Sequence, residues 1–243
     1  MPTRPMNSIA DRLNAAQLAI NNSLSDAEIQ ARVAEYGYPA TKLTAGKALY
    51  TAAVTAVNNA QAADGTQQQT TARVNAEEEK ARDAYQALAK VCRACFNNEP
   101  ARLTMLQIGG KTPRTTAGFL TSALTLFDNA LGVAEIKTAL AEYGYTAQKL
   151  SSERAKIVEY DQANQAQEAA KGAAQQATRT QDKALSELDD WMARYLKIAK
   201  VALRDDRELL EKLGILSRSS KTAAQRAAPA KASATRAAKV KAG

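Results

Sequence analysis

The chain has 243 residues, a formal net charge of +8 and a hydrophobic fraction of 45% with only 5% aromatics. That length fits one or two domains. The complete lack of histidine removes Ser-His-Asp and Cys-His nucleophile activation, His-ligated zinc and the Glu-x-x-His di-iron pattern of helical bundles.

Much of the apolar fraction is alanine, the best helix former and a small core filler. No run alternates β-branched and aromatic residues, so strands are not expected and the fold reads as all-α. Residues 1–7 read as unstructured and carry no apolar run of the secretory type. Ser8 is an N-cap candidate for a helix to about Asn22, with Ile9, Leu13, Ala16 and Ile20 on one face. Ser25 and Glu28 have the spacing of a capping box for a short helix, Asp26 to Glu35. Gly37 follows as a left-handed C-cap candidate, and the rings of Tyr36 and Tyr38 are expected to cover that turn.

From about Thr41 to Phe96 only Asp64-Gly65 argues against helix. One reading is a single helix of more than fifty residues, well outside ordinary lengths. The other, which we prefer at this level, is a hairpin turning at Asp64-Gly65, with the polar stretch Asn58–Thr71 as its tip. Asn97 to Pro100 breaks the chain, a short helix Ala101–Ile108 ends at Gly109-Gly110, and Lys111–Arg114 forms a link. Then come Thr115–Ala130, a second pair Thr146–Ala170 and Ala173–Leu203 turning at Gly172, and a last short helix Asp206–Leu213 capped by Gly214. Trp191 and Tyr195 lie one turn apart and should anchor the core.

The second half repeats the first. Ala34-Glu35-Tyr36-Gly37-Tyr38 returns unchanged as Ala141-Glu142-Tyr143-Gly144-Tyr145, an offset of 107. The same offset relates Asn22 to Asn129, Lys42-Leu43 to Lys149-Leu150 and Gly65 to Gly172. One stretch, Leu88–Val91 against Ile198–Val201, aligns at 110 and suggests a three-residue insertion in the second copy. The expected architecture is therefore a tandem-duplicated helical hairpin unit. Residues 8–110 and 111–216 would pack as one four-helix-bundle-like domain with short accessory helices.

Three local patterns invite chemistry. Cys92 and Cys95 form a C-x-x-C, but zinc would need two more Cys or His ligands, so small-residue packing is the better reading. Gly109-Gly110-Lys111-Thr112 ends like a phosphate-binding loop, yet Met105 stands where the first glycine belongs and a helix precedes. Glu77-Glu78-Glu79 and Asp205-Asp206 point in different directions on a helix and read as solvated surface. No catalytic residue, cofactor site or metal site is expected.

After Leu216 the chain carries Arg218, Lys221, Arg226, Lys231, Arg236, Lys239 and Lys241 and no acid. Taking these seven from the +8 leaves +1 for the rest. This segment, 217–243, is Lys-, Arg- and Ala-rich with few large apolar groups, so it should be disordered. Its composition is similar to the basic tails of histone H1-like proteins. That likeness implies non-specific contact with DNA or RNA through counterion release.

The sequence thus points to a non-enzymatic structural or protein-interaction module whose helical surface meets a protein partner, with oligomerisation open. The alternative is a nucleoid-type binder using those seven cations. A third class, an enzyme or small-ligand carrier, would show a buried polar cluster between the long helices. No segment approaches ~20 uninterrupted apolar residues, so no membrane contact and a cytoplasmic location are expected.

Overall fold

A computed structural model describes residues 8–215. Among these residues the chain forms eight α-helices and no strand. They are α1 (Ile9–Ser25), α2 (Ala27–Glu35), α3 (Ala40–Cys95), α4 (Pro100–Met105), α5 (Thr116–Gly132), α6 (Ala134–Glu142), α7 (Ala147–Ala202) and α8 (Arg207–Lys212). Their lengths run 17, 9, 56 and 6 residues, and then 17, 9, 56 and 6 again. Because α3 and α7 are equally long, no three-residue insertion separates them. Equal helix lengths fit the 107 offset and not the 110 one, and at 107 Cys92 and Cys95 align with Ala199 and Ala202.

The hairpin expectation is overturned. Gly65 lies inside α3 and Gly172 inside α7, and neither helix turns. The reason is where the glycines sit on the helix surface. In α3 the buried positions include Ala53, Ala60, Val74, Ala81 and Leu88, set at multiples of seven, with Ala56 and Ala84 on the companion positions. In α7 they include Tyr160, Ala174, Leu188 and Tyr195, with Ala163, Ala170 and Trp191 alongside. Gly65 and Gly172 fall opposite these stripes, and a Cβ added at either would meet nothing within 4 Å. An isolated glycine on an exposed helix face costs only ~1 kcal/mol, while neither helix contains a proline. The loss is too small to end a helix whose seam is buried on both sides of the glycine.

Two smaller expectations shift as well. The N-cap of α2 is Asp26, not Ser25: its Oδ1 accepts from the backbone N–H of Glu28 at 3.0 Å and of Ile29 at 3.2 Å. Ser25 instead remains the last residue of α1. The helix expected at Ala101–Ile108 is only Pro100–Met105, with proline in its first turn, where a missing N–H costs nothing.

The chain divides into two compact units. The first takes residues up to Thr55 and from Lys183. It therefore joins α1, α2 and the start of α3 to the end of α7 and to α8. Its core includes Ile20, Ile29, Val33, Leu43, Leu188, Tyr195 and Leu203. The second unit, Ala56–Asp182, joins α5, α6 and the start of α7 to the end of α3 and to α4. Leu88, Phe96, Leu106, Phe119, Phe127, Ile136, Leu150 and Tyr160 are buried together there. Each unit thus combines the opening of one half of the chain with the closing of the other.

Within the second unit α3 and α7 run antiparallel. Gln167 Nε2 donates to Thr71 Oγ1 at 3.1 Å. Further along, Tyr85 and Tyr160 both reach the Phe119 ring, with centroids 5.5 Å and 6.1 Å away. Moving down α7 from 167 to 160 therefore moves up α3 from 71 toward 85.

Replacing Gly65 or Gly172 by alanine should stabilise the protein by up to ~1 kcal/mol each, since both sites are helical and open. Urea unfolding with an unchanged m-value would register this as a higher midpoint. A lower midpoint for either variant would mean that the glycine is needed for a turn.

Candidate functional site

The repeated Tyr-Gly-Tyr is a helix terminator. Gly37 has φ +80° and Gly144 φ +79°, the left-handed region that glycine enters without strain. At the first copy the Tyr38 N–H donates to Val33 O and the Gly37 N–H to Ala34 O, both at 3.0 Å. At the second, Tyr145 donates to Leu140 O and Gly144 to Ala141 O. This is the paired Schellman arrangement, with the residue after the glycine packed inward. Only that second tyrosine covers the turn: Tyr38 and Tyr145 are buried, whereas Tyr36 and Tyr143 are 43% and 57% exposed. Gly214 closes α8 in the same way, and at the end of α4 the left-handed residue is Gln107, at φ 54°.

The shared asparagines carry contacts between the two halves of the chain. Asn22 Nδ2 on α1 donates to the Lys212 carbonyl at the end of α8, at 2.6 Å. Asn129 Nδ2 on α5 donates to the Met105 carbonyl at the end of α4, also at 2.6 Å. Each fills an acceptor that a helix C-terminus leaves without an intrahelical donor. A second matched pair ties helices within each half: Lys47 Nζ donates to Asn21 Oδ1 at 2.7 Å, and Arg154 Nε to Asp128 Oδ1 at 2.6 Å. Lys42 over the Tyr38 ring and Lys149 over the Tyr145 ring match in turn.

In the first unit three rings meet. Trp191 stacks on Tyr195 with centroids 5.0 Å apart, and Tyr38 packs against both. The Trp191 ring lies where a Cβ on Gly46 would be, so this glycine is required by close approach. Tyr195 and the fully buried Ser23 share a hydrogen bond, and Ser23 also donates to the Ala19 carbonyl. Burial raises the Tyr195 phenol above its ordinary range, against the opposing pull of the Ser23 hydroxyl. It stays neutral, and the contact is one between two hydroxyls.

The patterns singled out in the sequence are placed as follows. Cys92 is fully buried, and burial first, with nearby Cys95 second, pushes its thiol up to about 12, so it is not a nucleophile at neutral pH. Cys95 is also raised, by burial and then Glu142. Gly109-Gly110-Lys111-Thr112 is an irregular link, and α5 opens on the Thr115 side chain, which accepts from Gly118 N–H at 3.2 Å. Glu78 pairs with Arg82 at 2.6 Å, and Arg82 also covers the Phe119 ring. Glu77 sits inward, with Oε1 3.0 Å from Lys80 Nζ and Oε2 without a partner among the described residues. No group of three or more Cys, Asp or Glu side chains converges as metal ligands among the described residues. A depression of about 270 Å³ is lined by Arg82, Tyr85, Gln86, Thr112, Pro113, Arg114 and Phe119.

The seven tail cations, Arg218, Lys221, Arg226, Lys231, Arg236, Lys239 and Lys241, lie outside the described residues, as do residues 1–7. Among the described residues no single helix is long and apolar enough to cross a membrane. The apolar α5 is instead committed to the core of its unit through Phe119, Leu120, Leu126 and Phe127. No protein-family model, no curated protein and no solved structure matches this chain.

The hydroxyl pair yields an asymmetric prediction. Ser23→Ala strands the buried Tyr195 hydroxyl and should cost about 1–3 kcal/mol. Tyr195→Phe should cost less, because Ser23 keeps the Ala19 carbonyl. Chemical denaturation of both variants measures the difference, and equal costs would contradict the hydrogen-bond assignment.

Proposed function

We propose that this protein is a non-enzymatic, cytoplasmic scaffold built from a duplicated helical unit, in which α3 and α7 form an antiparallel coiled coil that meets a protein partner. The supporting observation is the middle of that pair. Between Asn58 and Ala76 of α3, and between Gln162 and Thr180 of α7, only a narrow stripe is buried. That stripe consists of Ala60 and Val74 on α3 and of Ala163, Ala170 and Ala174 on α7. The other faces are mostly Gln, Asn, Thr and Ala, including the exposed Gln68, Gln69, Gln175 and Gln176, with Asp64, Arg73, Glu168, Lys171 and Arg179 as the charged residues. Such a surface offers many neutral hydrogen-bonding groups and little charge, which suits recognition of another helix or strand.

The matched turns, the matched asparagine contacts and the repeated helix lengths support the duplication. A photo-crosslinking residue placed at Gln68 or at Gln175 of the full chain tests the partner surface. Both positions should capture the same protein, and a crosslinker at Lys90, on an exposed face near the end of α3, should not. Capture only from Lys90 would move the interface away from the middle.

A second reading, non-specific binding of DNA or RNA, is favoured by the acid-free run of seven cations after Leu216. Full-length protein should then bind unrelated duplexes with similar affinity, and a 1–216 version should lose most of it. The salt slope should fall by roughly one unit per lost phosphate contact. An anisotropy titration at two salt concentrations reads both, and equal affinity of the two versions would rule the tail out.

A further inference from the structure

The contacts between the two halves are of two kinds. The asparagine-to-carbonyl bonds are the same in both units. Others are made from different chemistry at corresponding positions. In the first unit Arg12 pairs with Asp189, with Nε 3.3 Å from Oδ1. The corresponding residues, 107 positions away, are Phe119 and Arg82, and there the guanidinium lies 4.6 Å over the ring. Gly46 accommodates the Trp191 ring, while the corresponding positions hold Glu153 and Ala84. Asp26 Oδ2 accepts from Lys212 Nζ at 2.8 Å, while the corresponding positions hold Val133 and Met105. Ser23 bonds Tyr195, and Ala130 and Leu88 stand in their places.

In every case one partner changed together with the other. Pairing the first copy with a second molecule's first copy would set Arg12 against Arg82, leave a void between Gly46 and Ala84, and place Ser23 against Leu88. Pairing two second copies would set Phe119 against Asp189, drive Glu153 into Trp191, and strand the Tyr195 hydroxyl against Ala130. Like pairing therefore meets repulsion, unpaired buried polar groups or overlap, which is how one partner is selected by penalising another.

From this we propose that the surface made by α1, α2 and both ends of α3 with α4 is a recognition surface for one occupant, the segment 111–215 of this chain, and that it refuses a second copy of itself. The inference rests on the duplication reading. The two halves are obligate unlike partners, and the chain closes its own pseudo-dimer instead of pairing like halves between molecules.

The test starts from the intact chain with a protease site inserted between Gly109 and Gly110, cut after folding. The two fragments should stay together. After one cycle of denaturation and refolding of that equimolar mixture, native mass spectrometry should show unlike pairs almost alone. A statistical mixture of like and unlike pairs would overturn the exclusivity while leaving the duplication standing. Immediate separation of the fragments after cutting would overturn the contacts between halves and the duplication reading with them. Should the cut protein not refold, the uncut chain decides. Asp189→Arg should lower the thermal midpoint by placing a cation against Arg12, and adding Arg12→Asp should restore it. Failure of the second change to restore the midpoint would refute the pairing code.

Discussion

Alanine at positions recurring every seven residues is the constraint on which the rest depends. Small side chains occupy the buried positions Ala56, Ala60, Ala163, Ala170 and Ala174, and small residues at a contact are what permit a short interaxial distance. A helix of 56 residues gains little from burying one such stripe unless a partner of matching length covers it. α7 has the same length, 56 residues, and within the second unit it runs antiparallel to α3. Alanine gives little apolar area per residue, on the order of 25 cal/mol for each Å² removed from water. Helix propensity therefore carries the middle of the pair, and the large side chains are concentrated in the two unit cores.

Those cores differ in their chemistry. The first unit relies on Trp191, Tyr195 and Tyr38, with one buried hydroxyl pair and one glycine that makes room. The second relies on Phe96, Phe119, Phe127 and Tyr160, with Leu88 and Ala84 where the first has Tyr195 and Trp191. At one contact the bulk changes sides: Gly46 faces Trp191 in the first unit, while Glu153 and Ala84 hold the corresponding positions in the second. The backbone frame is held by groups that did not change: the glycines at φ near +80° and the asparagines that cap short helices.

Much of this frame was legible in the sequence. The Tyr-Gly-Tyr turns, the breaks at Pro100 and Gly109 and the helical class all follow from local chemistry. The matched pair Asn22 and Asn129 was visible as identity, although its role was not, because a contact to a carbonyl 190 residues away leaves no local signal. Gly65 misled for a definable reason. A glycine in a polar stretch looks like a turn when the helix is read alone, and it becomes a helical position opposite the buried stripe, with room for a Cβ, once the seven-residue stripe is followed through it. The 110 alignment misled differently, because the two runs share a burial pattern, with Ala89 and Ala199 buried and Lys90 and Lys200 exposed, so only the equal helix lengths tell the offsets apart. Trp191 was recognised as an anchor, but Gly46, its counterpart, was not, since close approach of a ring to backbone has no sequence signature.

The account stands on α3 running straight through Gly65, and a distance within that helix tests it most directly. Spin labels on cysteines replacing Asn59 and Glu79, in a chain with Cys92→Ala and Cys95→Ala, report a separation of twenty residues. At about 1.5 Å per residue a continuous helix places these backbone positions about 30 Å apart. A turn at Asp64-Gly65 would fold Glu79 back toward Asn59 and shorten the distance to roughly 15 Å. A single narrow distribution near the longer value is the predicted result. A population at the shorter one would contradict the continuous helix, and with it the antiparallel seam and the exchange of halves between the two units.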